Sequence, residues 1–196
     1  MDKDWSDKNK EMQKLLSKEA TFAEGIKKLL ELRADVFEQI TQILNGYPEE
    51  AFYQMPYKNA DGYHSKTLSY SIWHIFRIED IVAHELVAED DQILFRGNYV
   101  KKINSPIITT GNELSGDEIG VFSEKLDRFQ LYNYAKDVME ATNQILRDLE
   151  YKELKRKFDD IYKEKLINTK CVDETEAWLI DYWCSKGIKY NKEVTP

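Results

Sequence analysis

The sequence is short of the residues that build most metal and redox sites. Its 196 residues hold three histidines and two cysteines. Two cysteines, Cys171 and Cys184, exclude the disulfide framework of a small secreted scaffold, and both are expected to be free thiols. No apolar run reaches the roughly 18–20 residues that cross a bilayer as a helix, which excludes that kind of membrane protein. An excess of basic residues is missing too. Lys and Arg number 28 against 36 Asp and Glu, a formal net charge of −8, and phosphate binding needs concentrated positive charge, so nucleic acid is excluded as an expected partner. The one basic run, residues 152–157, is interrupted or flanked by Glu150, Glu153, Asp159 and Asp160 and reads as a solvated helix face. Residues 1–10 mix acids among their lysines, unlike a signal or transit peptide, so a cytoplasmic location is expected. A Gly-rich phosphate loop, a nucleophile elbow and an HExxH motif are all absent, which removes the commonest nucleotide and hydrolase readings.

What the chain does have is apolar surface spaced for helices. Hydrophobic residues make up 42% and aromatics 12%, enough for one well-buried domain spanning residues 1–196, with its core at about 20–190. A first long helix is expected over about residues 21–44, where Phe22, Ile26, Leu29, Leu30, Phe37, Ile40, Ile43 and Leu44 recur at three- and four-residue steps. Asn45-Gly46 stops it, and Met12, Leu15 and Leu16 suggest a short amphipathic arm before it. Residues 47–65 read as a loop, and a second helix, buried on two faces, is expected at 67–88. Residues 90–116 form a connection long enough to suggest function or local structure of its own. Ser115-Gly-Asp-Glu118 has capping-box spacing and is expected to open a third helix, whose stripe is Leu131, Ala135, Val138, Thr142, Ile145 and Leu149. Residues 151–170 are ambiguous, and a buried last helix is expected at about 175–189, with Trp178 and Trp183 in the core. With no β-alternation of useful length and no internal repeat, the fold class is all-α: a bundle of four principal helices with long connecting loops.

The histidines are His64 in the first loop and His74 and His84 in the second helix. At about 100° per residue, His74 shares a stripe with Ile78, Ile81 and Glu85, with Arg77 and His84 to one side. A buried imidazole must find a partner. His74 is therefore either a core histidine satisfied by a hydrogen bond or a metal-binding or catalytic group.

The run Ser71-Ile-Trp-His-Ile-Phe-Arg-Ile-Glu-Asp80 resembles the second-helix signature of the DinB-like superfamily. Gln92, Gly97, Thr110-Gly111, Ser115, the tyrosine-rich stretch 131–138 and Thr142 are similar in spacing to one branch of that family, so the resemblance covers about residues 20–190. It implies an up-down bundle holding a divalent metal, such as zinc or nickel, through three histidines. One comes from the second helix and two from the last, four residues apart and just before a glycine. Some relatives are transferases or isomerases that use mycothiol, bacillithiol or glutathione. His74 matches the second-helix ligand. Counted from Gly187, however, the two last-helix positions fall on Asp181 and Ser185.

That departure leaves a degenerate ligand set, because a serine hydroxyl is a poor ligand and one imidazole with one carboxylate binds first-row metals weakly. The expectation is no tightly held metal, with His74, Asp181 and Ser185 approaching one another inside the bundle and Asp181 accepting from His74 or Arg77. Arg77, His84, Glu85 and Cys184 are the other pocket candidates; Glu85 or His84 could complete a metal site, and Cys184 could enter it as a thiolate. Three functions stay open. One is a DinB-like protein with a degenerate site that binds a small molecule or thiol. Another is a metal-dependent thiol transferase or isomerase with altered ligands. The third is a non-catalytic protein that forms homodimers.

Overall fold

The computed structural model describes residues 3–57 and 65–186, and among them every regular element is helical, as an all-α chain requires. His64, Gly187 and Ile188 lie outside the described residues. In chain order the helices are α1 (Lys3–Leu16), α2 (Phe22–Gly46) and α3 (Leu68–Ile81), which runs on as a π-helical segment (Val82–Ala88). Then come α4 (Ile93–Arg96), α5 (Tyr99–Ile103), α6 (Asp117–Glu124), α7 (Arg128–Asp148), α8 (Asp160–Thr169) and α9 (Trp178–Lys186). No helix among the described residues is long and apolar enough to cross a membrane.

Several boundaries differ from the expected ones, each for a local reason. The N-terminal arm is a full helix of 14 residues, and it packs along α2. The approach is close at Gly25, where a Cβ would lie 2.7 Å from the Leu16 backbone nitrogen. Only half of the expected capping box forms, with Glu118 Oε2 accepting from the Ser115 N–H at 3.0 Å, and it stands before the short α6. The long helix α7 starts separately at Asp127, whose carboxylate accepts from the N–H groups of Phe129 and Gln130. The connection 90–116 carries α4 and α5, and residues 151–170 hold a 3-10 turn (Tyr151–Lys155) followed by α8.

Helix α3 is the axis of the molecule. Thr67 caps its start by accepting from the Tyr70 N–H at 3.0 Å. Its first half packs with Phe37, Tyr134 and Val138 in one apolar cluster, and its second half packs with Leu29, Leu146 and Trp183 in another. Between them a buried ion pair joins three helices. Arg33 of α2 donates twice to the Glu79 carboxylate of α3, at 3.1 and 2.5 Å, and its Nε donates to Asn143 of α7 at 2.8 Å. The last carbonyls of the π-helical turn have no donor within the helix. Arg156 takes up two of them, Leu86 and Val87, and pairs with Glu89, which leaves the helix in the left-handed region at φ 58°.

Candidate functional site

Residues 108–111, in the middle of the long connection, lie against α3 with no sheet partner. Their carbonyls therefore need other donors. Four α3 side chains supply them in order: Arg77 Nε donates to Ile108 O at 2.8 Å and Trp73 Nε1 to Thr109 O at 3.1 Å. His74 Nδ1 meets Thr110 O at 2.9 Å, and the Tyr70 hydroxyl donates to Gly111 O at 3.0 Å. Positions 70, 73, 74 and 77 form one helical stripe, so a single face of α3 holds this segment antiparallel to itself. Gly111 adopts φ +80°, and a Cβ there would sit 3.2 Å from the Tyr70 ring.

The contact with Thr110 decides the chemistry of His74. A carbonyl can only accept, so Nδ1 carries the proton and Nε2 keeps its lone pair in the neutral ring. Burial pushes the His74 pKa below 6.5; Lys66 lowers it further, while the Thr110 bond and Glu113 oppose without reversing the shift. His74 is half-buried, and its Nε2 has no partner among the described residues. The Tyr70 ring stacks on the imidazole at 5.5 Å between centroids, and Lys66 Nζ lies 4.8 Å from the Tyr70 ring centroid. Burial, with the negative charges of Glu113 and Glu176, raises the Tyr70 phenol to about 12. Glu113 is the acidic member of this group. One of its oxygens accepts from the Thr109 hydroxyl, while Oε2 is buried with no donor among the described residues.

One turn further along α3, the polar groups form a closed network. Asp80, fully buried, accepts the Ile93 and Leu94 N–H groups at 2.8 and 3.0 Å, capping α4 from outside it. It also accepts the Tyr134 hydroxyl at 2.9 Å and Arg77 Nη1 at 3.3 Å. Arg77 Nη2 donates to Gln92 Oε1 at 2.5 Å, and Gln92 Nε2 donates to Glu85 Oε1 at 2.6 Å. Lys165 pairs with the other Glu85 oxygen at 3.1 Å, and the Cys171 thiol lies 3.6 Å from Gln92. His84 pairs through Nδ1 with Asp90 at 2.5 Å, and its buried Nε2 lies 3.9 Å from Asp80 with no hydrogen-bond partner among the described residues. Arg77 and Glu85 thus have all their contacts inside the protein.

The last helix turns the expected ligands outward. Leu179, Ile180, Trp183 and Cys184 form its buried face. At about 100° per residue, that places Asp181 and Ser185 on the opposite side. The Asp181 side chain is 73% exposed and pairs with Lys163 at 2.7 Å. Ser185 is exposed and donates to the Tyr182 carbonyl at 3.1 Å. No hydrogen bond or ion pair joins any two of His74, Asp181 and Ser185, so the expected His74–Asp181 contact is corrected. Cys184 is buried, and burial first, with Asp181 and Asp159, raises its thiol to about 11 against the opposing effect of Lys163, far from a thiolate at neutral pH. Trp178, expected in the core, is 55% exposed. These residues do not fit a metal held by three histidines, because the two non-histidine positions face solvent and are chemically weak ligands.

Glu113, Lys66 and Tyr70 were not among the sequence candidates, and only the length of the 90–116 connection pointed toward Glu113. No family model, curated protein or solved structure matches the chain, so its site is interpreted from its own residues.

Proposed function

We propose that the chain is a DinB-like up-down helical bundle whose three-histidine metal site is degenerate, and that it binds a small molecule bearing a cationic nitrogen at the free edge of His74. The observation that carries this reading is two acceptors without a donor among the described residues, His74 Nε2 and Glu113 Oε2, on groups whose charges influence each other. Nε2 belongs to a neutral imidazole oriented by Thr110. The Glu113 oxygen is buried without a donor, a state that costs about 1–3 kcal/mol until something donates to it. An ammonium group donates to both kinds of atom and offsets the carboxylate charge, whereas a neutral acceptor ligand satisfies neither. Tyr70, stacked on His74, supplies an aromatic wall. The bundle part of the reading draws on the long α2, on α3 with its π-helical continuation, and on α7, with α9 packed onto the shared core. Zinc and nickel have no place in it, since only one of three imidazoles remains.

Nitrogen-detected NMR of the imidazoles tests this, with ethylamine, butylamine and hexylamine as probes. The His74 Nε2 signal should be that of an unprotonated nitrogen and should move on amine addition. Both His74→Ala and Glu113→Gln should abolish binding. A protonated Nε2 in the neutral ring, or amines that leave His74 unmoved, would overturn the proposal.

A further inference from the structure

A surface remote from His74 points to a second copy of this chain. Helix α2 has α1 on one side, at Gly25, and leaves a groove of about 560 Å³ on another, between α2 and the end of α7. The floor is apolar, from Ile26 and Leu30 of α2 to Leu149 beyond α7, and the small Ala23 and Ala34 lie exposed at its two ends. Lys27 and Glu31 stand on the rim, as does Arg147. None of these three charges has an ion-pair partner among the described residues.

The stripe is self-complementary. At about 100° per residue, Ile26 and Leu30 share one edge of the face, and Lys27 and Glu31 share the other. Consider a two-fold axis that crosses α2 at right angles in the plane of contact, near residues 28 and 29. It reverses the helix direction and keeps each edge on its own side. Lys27 then meets Glu31 of the second copy, and Glu31 meets its Lys27. Ile26 meets Leu30 on the apolar edge, and Ala23 meets Ala34 at the ends, where small side chains allow the helices to close. Charge and apolar surface are matched by one operation. We propose that this groove is the face through which two copies pair, with their α2 helices antiparallel.

This pairing does not depend on the His74 ligand reading, and its test is separate from it. Sedimentation velocity across the micromolar range should show a species of twice 23.1 kDa. Lys27→Glu alone, or Glu31→Lys alone, places like charges in both symmetric contacts and should weaken self-association about tenfold or more. The double variant restores opposite charges with their signs exchanged and should recover the dimer. Both residues are exposed, so thermal unfolding of the dilute variants should match the parent, which guards against misfolding. A parent chain that stays monomeric throughout would overturn the proposal. So would single variants that dimerise as well as the parent, or a double variant no better than either single one.

Discussion

Asp80→Ala should be among the most damaging single changes in the molecule. The carboxylate is fully buried and is shared by four donors: the Ile93 and Leu94 N–H groups, the Tyr134 hydroxyl and Arg77 Nη1. Its removal strands Arg77, itself fully buried, with only neutral partners at Ile108 O and Gln92 Oε1. Breaking a buried pair from one side costs about 3–5 kcal/mol. Each of the other orphaned donors adds at most about 1–3 kcal/mol, less wherever water or a shifted partner reaches it. These losses share one network and do not add, so we expect about 4 kcal/mol by urea denaturation at neutral pH, with an unchanged m-value. Arg77→Met in the same chain should return part of it, because the stranded charge goes too. A loss below about 1 kcal/mol, or a double variant worse than the sum of the singles, would refute the account of this network.

Other outcomes follow from single observations. Trp183 is fully buried in the second apolar cluster, and Trp183→Ala should cost about 3–5 kcal/mol in the same assay. His74 has its pKa lowered by burial, so the unfolded chain binds a proton there more readily than the folded one. Its contribution is therefore present above pH 6.5 and lost as pH falls through the lower folded value; that part of the slope should vanish in His74→Gln. Cys171 and Cys184 are buried, and Cys184 is held as a thiol by its raised pKa of about 11. An aromatic disulfide reagent at pH 8 should label both slowly in the native protein and at once in denaturant.

Helix periodicity in the sequence locates α2, α3 with its π-helical continuation, and the α7 stripe, because each buries one face and repeats every three or four residues. The break before α7 is harder to see. The capping box at Ser115 and the stripe from Leu131 look continuous, and only the Asp127 cap separates two helices. The facing of α9 was legible in principle, since Leu179, Ile180, Trp183 and Cys184 already mark an apolar side that leaves Asp181 and Ser185 opposite. Counting back from Gly187 ignores that side and gives the wrong orientation. Glu113 and Lys66 lie in irregular segments, where no period tells which side chain meets α3. The succession of carbonyls on Arg77, Trp73, His74 and Tyr70 is likewise a long-range pairing that local spacing does not encode.

In the proposed reading His74 is an oriented, neutral imidazole that serves a ligand and not a metal. Elemental analysis of protein purified without a histidine tag tests it most directly, joined to thermal unfolding with added zinc or nickel. The account predicts no stoichiometric transition metal and an almost unchanged melting temperature, since a ligand stabilises only by its binding to the folded state. A metal present at one per chain, and lost in His74→Ala, would contradict it.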